Sequence, residues 1–390
     1  MDATAIAALR LDLTNQGIRL SDDLLAAGFG LDLATDGRSG AAEGLDLLLP
    51  GDCWVNASVA PGYARTSPYL LLASDSDSGS SFLLRHRTTG DLPVRLPETA
   101  RFRHARIPSG QSCGDIGAIH GPWLVTSPLA PNASLALDRP RRFLGLPPPR
   151  PLTKSRWSVD EVVACAEAAW IHGGVRLVHL EAGHLLADDG GLAELAPYIT
   201  ALKRALPTLV SVSSLPPTSA EAVLELYAAG CDAIAYHLLA WDPAAAARVA
   251  PVRSRFVSHA RLRAGLVAAA RCFPIGAVST DLLVGLEPLA DLDQAIAELI
   301  AEGVVPNLAV FRPLPGAEDD APTGDLVATE PLLALMARRR ERIRTAGLLH
   351  SRVRGFPRVL AGVDPYLPGL LDRWYASTRR WLRVARPEDA

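Results

Sequence analysis

From Ile119 to Ala346, short apolar runs alternate with longer stretches of helical period. Such alternation marks βα units, which set strands side by side in parallel and return through helices. Strands are expected at 123–127, 175–181, 209–214, 233–237, 276–285 and 308–311, and helices at 159–172, 192–206, 220–229, 259–272 and 292–301. Six strands rather than eight make a partial barrel. Two helices open with the S/T-x-x-E spacing in which a hydroxyl and a carboxylate satisfy each other's backbone N–H groups: Ser158 with Glu161, and Thr218 with Glu221.

Outside that stretch the register differs. Residues 1–115 carry two short helical patterns, then β-like runs at 69–73, 81–86 and 92–96 separated by Gly, Ser and Asp. Beyond the acidic, Pro/Gly-rich segment that ends near Asp325 the chain turns strongly helical. The fold class expected is α/β: a partial (β/α)6 barrel over 116–325, an N-terminal α+β domain over 1–115 and a C-terminal helical extension over 326–390, with Trp374 and Trp381 on its packed face.

Composition removes several classes of function. A formal net charge of −3 lacks the basic excess that binding a phosphate backbone needs, so no nucleic acid partner is expected. No apolar run reaches the roughly 20 residues of a membrane span, and the first residues lack a basic, then apolar, leader pattern. A cytoplasmic protein without membrane association is the expectation. Cys53, Cys113, Cys165, Cys231 and Cys272 are odd in number and widely scattered, which fits neither a disulfide framework nor a close-spaced metal motif.

Six phrases fall in order on the barrel pattern: 117–126, 157–163, 229–237, 249–253, 278–287 and 305–316. Together they resemble the radical S-adenosylmethionine (SAM) superfamily. In that family the loop after the first strand carries C-x3-C-x2-C, whose thiolates bind a [4Fe–4S] cluster that cleaves SAM by electron transfer. Here the loop has no cysteine and offers Arg141, Arg142 and Leu144 where the thiolates belong. Arginine and leucine cannot ligate iron, which needs deprotonatable soft donors. The resemblance therefore implies a degenerate member without an iron–sulfur cluster.

Other family signals divide in the same way. The Gly-Gly-Glu phrase after strand two is reduced to Glu181-Ala182-Gly183-His184, and the acidic residue after strand four is replaced by Leu238 or Leu239. Strand five keeps its glycine, Gly285, and strand six ends in Phe311-Arg312-Pro313, the side that lies along the adenosine in the family. The implied cofactor is SAM or a related nucleoside, with Gly183, Ser211, Ser213, Ser279, Gly285 and Arg312 as the binding set.

Parallel barrels place chemistry at the C-terminal ends of their strands. His179 and Glu181 share one face of strand two, Ser211 and Ser213 of strand three, and Ser279 and Asp281 of strand five, while His237 closes strand four. Asp281 is the foremost candidate, because a carboxylate among Val278, Leu282 and Leu283 needs a partner or a shifted pKa. It is read as a base or a ribose ligand, with a structural ion pair to Arg312 or Arg253 as the alternative. Glu181 and His237 complete the catalytic set. His179, Glu181, His184 and His237 could compose a 2-His-1-carboxylate site, but strand-end histidines are more often pocket walls, and no metal is expected.

The loop after strand one has become basic, and Arg141 and Arg142, with His179, are expected to hold an anionic small substrate, since guanidinium forks grip carboxylates and phosphates. A solvated loop is the alternative reading. The function expected is an enzyme using SAM by polar chemistry: group transfer, elimination or cyclisation. The alternative is a non-catalytic pseudoenzyme or scaffold of a biosynthetic pathway, with a partner enzyme or a second copy of the chain as its associate.

Overall fold

Pro50-Gly51, with Gly51 at φ 78, reverses the chain between two leucine-rich and valine-containing runs and so builds a hairpin that the pattern reading above passes over. The computed structural model describes residues 3–26, 44–51, 53–59, 64–74, 81–97, 100–120, 123–129, 156–173, 175–182, 187–311 and 327–348. Its first part runs α1 (Ala3–Gln16), β1 (Arg19–Leu20), α2 (Asp22–Ala26), β2 (Gly44–Leu49), β3 (Cys53–Ser58), β4 (Tyr69–Ala73), β5 (Ser81–His86) and β6 (Gly90–Arg95). These strands form one sheet in the order β1-β4-β5-β6-β2-β3. The Ile18 N–H donates to the Ser58 carbonyl at 2.8 Å, so the two ends of the sheet approach each other. Alternate residues Leu45, Leu47, Leu71, Phe82, Leu84 and Val94 fill its inside with Leu13 of α1.

Then follow α3 (Ala100–His104), α4 (Cys113–Ile116), β7 (Gly117–His120), β8 (Trp123–Thr126), α5 (Val159–Gly173), β9 (Leu177–Glu181), α6 (Leu192–Ala205), β10 (Leu209–Ser213), α7 (Ala220–Ala228), β11 (Ala233–Ala235), α8 (Pro243–Val249), α9 (Pro251–Phe256), α10 (His259–Cys272), β12 (Val278–Val284), α11 (Leu289–Ala301), β13 (Val305–Val310) and α12 (Thr329–Thr345). Strands β8 to β13 are parallel and lie in chain order, and β7 adds an antiparallel edge on β8. The sheet is open: β13 and β7 are its two ends, so the described strands make a partial barrel. Val178, Leu180, Val210, Val212, Leu282 and Val284 face the helices and form the main core with Leu195, Leu202, Leu266 and Leu299.

The capping box of α5 forms as expected. Ser158 N–H donates to Glu161 Oε2 at 2.9 Å, and Glu161 N–H donates to Ser158 Oγ at 3.2 Å. Ser158→Ala should cost about 1 kcal/mol, seen as a lower urea midpoint at unchanged slope. At α7 the expected cap is off by one residue. The helix starts at Ala220, Ser219 Oγ accepts from Glu221 N–H at 3.1 Å, and Thr218 Oγ instead donates to the Asp188 carbonyl at 3.1 Å.

Helix α12 docks on two sides. Arg338 pairs with Asp293 of α11 at 3.1 Å, Arg342 pairs with the same carboxylate, and Asn15 of α1 donates to the Val327 carbonyl at 2.6 Å. Trp374 and Trp381 lie outside the described residues. Among the described residues no helix is long and apolar enough to cross a membrane.

Candidate active site

Strands in parallel register stack their inward side chains in tiers. Trp123, Leu177 and Leu209 are neighbours in the lowest tier and pack as an apolar floor. One step up, Val125, His179, Ser211 and Ala233 are in register, and above them Glu181, Ser213, Ala235 and Ser279. Asp281 and Asn307 are paired at the next level, beside His237, which follows the end of β11. Polarity therefore rises toward the strands' C-terminal ends.

His179 is 1% exposed. Its Nδ1 lies 2.7 Å from Ser211 Oγ and its Nε2 3.0 Å from Ser213 Oγ. Burial, reinforced by nearby His237, drives its pKa well below the usual imidazole value. The ring is neutral, so one nitrogen donates and the other accepts. The structure brings His179, Ser211 and Ser213, expected as substrate and cofactor contacts, together as one buried hydrogen-bonded unit. Glu181, half-buried on the next tier, accepts a hydrogen bond from Ser127 Oγ at 2.6 Å.

The exit from β11 is irregular. Leu238 N–H donates to Thr280 Oγ at 2.9 Å, Leu239 N–H donates to the Asp281 carbonyl at 2.9 Å, and Leu283 N–H donates to the Leu239 carbonyl at 2.7 Å. Pairing with β12 thus continues past the last regular residue. Leu239 takes φ 72, a left-handed conformation that costs a β-carbon-bearing residue about 1–2 kcal/mol. Arg253 of α9, 6% exposed, clamps this segment by donating to the His237 carbonyl at 2.6 Å and to the Leu238 carbonyl at 3.3 Å.

His237 and Asp281 meet here. His237 Nδ1 is 3.1 Å from Asp281 Oδ2, with side chains 27% and 17% exposed. Asn307 Nδ2 donates to Asp281 Oδ1 at 3.3 Å. Burial pulls the His237 pKa down, and Arg253 adds to that. The charge and hydrogen bond of Asp281, helped by Glu181, outweigh both and leave it raised. A histidine whose Nδ1 lies against a carboxylate, partly open and with its pKa raised above the ordinary value, has the features of a proton-exchange group.

Asp281 is paired with His237, while Arg253 donates to the backbone carbonyls of His237 and Leu238. Ser279 lies one register step below Asp281 and is half-buried, and Gly285, at φ 103, ends β12. Gly183, His184, Arg141, Arg142 and Arg312 lie outside the described residues. Asn307 was missed because strand six was expected to begin at Leu308, after Pro306, whereas it begins at Val305. An asparagine two residues after Val305 and two before Ala309 is the signal that was available.

The donor set does not suit an iron–sulfur cluster. No cysteine stands between Cys113 and Cys165 in the sequence, and Cys113, Cys165 and Cys231 are buried among the helix-facing core. Among the described residues no group of three or more His, Cys, Asp or Glu could hold a metal ion. SAM fits better by charge: Glu181 and Asp281 give the mouth two carboxylates that a sulfonium would complement, and Ser279 and Asn307 add hydrogen-bonding groups beside them.

No protein-family model and no curated protein matches the sequence. Among solved structures, the chain is similar to methylornithine synthase, at 14% identity and a TM-score of 0.38, over 61% of this chain and 76% of that one. It is similar to the coproporphyrinogen III oxidase of Escherichia coli, described as a radical SAM enzyme, at 14% identity and a TM-score of 0.31, over 44% and 41% of the two chains. It is also similar to the FeFe-hydrogenase maturase HydG of Carboxydothermus hydrogenoformans, at 15% identity and a TM-score of 0.37, over 49% and 46%.

Proposed function

We propose that this chain binds SAM or a closely related adenosine nucleoside at the mouth of the partial barrel and acts on a small second substrate by closed-shell chemistry, with His237 moving the proton. The observation that carries this reading is the His237–Asp281 pair, partly open at the strand ends and backed by Asn307. The sequence phrases that resemble the radical SAM superfamily support the nucleoside, and the missing thiolates favour its use without electron transfer.

Bound SAM would supply a sulfonium whose three attached carbons are electrophilic. Asp281 orients the imidazole and stabilises its charged form; His237 takes a proton from, or returns one to, the second substrate. Glu181, held by Ser127, would offer a carboxylate to the cationic group. The buried His179, Ser211 and Ser213, above the apolar floor of Trp123, Leu177 and Leu209, would keep water out from below. Arg141 and Arg142, in the sequence that follows β8, are proposed to hold an anionic group of the substrate.

Calorimetric titration with SAM, S-adenosylhomocysteine and adenosine tests the nucleoside site. Saturation of the folded state at about one hundred times Kd should add about 2.7 kcal/mol of stability. Failure of all three ligands to bind or to raise Tm would remove the proposal. Iron and sulfide bound stoichiometrically in anaerobic preparations would overturn the closed-shell part alone.

A non-catalytic partner role is the second reading, and one surface favours it. Leu224 and Tyr227 on α7 are 50% and 43% exposed, and Ile275, just beyond α10, is 69% exposed. Tyr227 packs edge-on against Phe273 at 5.2 Å, and with Leu224 three residues earlier on α7 it offers an exposed apolar surface that a partner enzyme or a second copy could cover.

A further inference from the structure

The buried stripe of α12 runs Leu332, Leu335, Arg339, Ile343, so a guanidinium stands where helical period calls for an apolar side chain. A buried arginine is costly unless its donors are satisfied. Arg339, 8% exposed, spends Nε on the carbonyl of Pro306 and Nη2 on Asn307 Oδ1 at 3.4 Å. Asn307 Nδ2 then donates to Asp281 Oδ1 at 3.3 Å, and Asp281 Oδ2 holds His237 Nδ1 at 3.1 Å.

The direction of this chain is fixed at its far end. A guanidinium can only donate and an ionised carboxylate can only accept. The amide between them has one orientation that serves both, oxygen toward Arg339 and NH2 toward Asp281. The reverse orientation sets NH2 against guanidinium and oxygen against carboxylate. Without the fork, the Asn307 amide could turn over and Asp281 would lose a donor.

We infer that Arg339, on a helix outside the barrel, is a positioning residue for the His237–Asp281 pair and acts through the orientation of Asn307. This deepens the reading of that pair as the proton-transfer group. It also ties the site to the docking of α12, which is held by Asp293 of α11 and by Asp12 and Asn15 of α1.

Among the described residues, the titratable groups that act on His237 include Asp281 of β12, Glu181 and His179 of β9, and Arg253 of α9. All four remain in the variants below, so a change in titration reports the Asn307 link. Losing the amide donor leaves more of the Asp281 charge to the imidazolium. The His237 pKa therefore rises.

The test follows His237 by carbon-13 NMR of the ring in the full chain, assigned by the signal lost in His237→Gln. Arg339→Lys keeps the cation but cannot fork onto Pro306 and Asn307 together. It should raise the His237 pKa by about 0.5 to 1 unit, the range one hydrogen bond is worth. Asn307→Leu should raise it by a similar amount with Arg339 intact, and Arg339→Lys added to Asn307→Leu should add nothing. An unchanged titration in folded Arg339→Lys overturns the inference, as does a full-sized shift persisting in the Asn307→Leu background. If Arg339→Lys does not fold, an unchanged titration in Asn307→Leu alone is enough to overturn it. No nucleoside or turnover enters the measurement, so its failure is separate from failure of the proposed function.

Discussion

Asp281→Asn should lower turnover by about 10²- to 10⁴-fold, the range that a positioned acid–base group contributes. Asparagine is nearly isosteric and can still present an oxygen to His237 Nδ1, so the fold and the imidazole orientation survive. The charge does not. In the native site, burial and Arg253 both push the His237 pKa down, and it is Asp281 with Glu181 that reverses the balance. With the carboxylate gone, the downward effects dominate and the imidazole gives up its proton below its ordinary range. A loss confined to kcat identifies an interaction made in the transition state; a matching rise in KM or nucleoside Kd places Asp281 on the ligand as well. Turnover within about threefold of wild type would remove Asp281 from the chemistry. His237→Gln should reproduce the loss, and the double variant should be little worse than either single one, because the two side chains act as a unit.

The barrel was legible because its units repeat a strong periodicity. Strands β8 to β10 and helices α5, α6 and α10 fall within a residue or two of the pattern, since each buries one apolar face and caps polar. The irregular parts were not legible. Helices α8 and α9 interrupt what reads as one long connection, although Asp242, which accepts from Ala244 and Ala245 N–H at 3.0 Å each, and Pro243 form an N-terminal signal of ordinary strength. The first three strands of the N-terminal sheet were also missed, because β1 has only two residues and β2 is leucine-rich rather than β-branched.

Within the site, the sequence argument reached the identities before the partnerships. A carboxylate inside an apolar strand had to be compensated, which singled out Asp281, but the compensating group sits just past the end of a neighbouring strand. Whether it is a histidine or an arginine depends on strand register and on the turn at Leu239, and neither leaves a local trace in composition. The same holds for His179. Its place on strand two suggested a pocket wall; only the register of β9 with β10 sets Ser211 and Ser213 around both ring nitrogens. Arg339 shows the converse. Its position in the apolar stripe of α12 is visible from spacing alone, yet its partners lie more than thirty residues away on β13.

Stability against pH should peak close to pH 6.5, because His179 and His237 are shifted in opposite directions from that ordinary value. His179 is depressed in the folded protein, so below pH 6.5 the unfolded chain takes up a proton that the folded chain refuses. Its contribution is complete above pH 6.5 and is lost as pH falls, by up to about 1.4 kcal/mol per unit until the folded pKa is reached. His237 is raised, so its ion pair with Asp281 is fully present below pH 6.5 and is lost as pH climbs through the folded pKa. One limb is acid, the other alkaline, and they do not overlap. Carboxylates titrate mostly below about pH 5, which leaves the upper part of the acid limb to His179. Urea midpoints measured from about pH 5 to about pH 9 should therefore fall on both sides of the maximum. His179→Gln, which can still donate to one serine and accept from the other but does not titrate, should flatten the acid limb alone. Asp281→Asn should flatten the alkaline limb and steepen the acid one, because burial and Arg253 then hold the His237 pKa below its ordinary value. An acid limb that persists unchanged in His179→Gln would mean that the buried imidazole is not what the low-pH state must protonate.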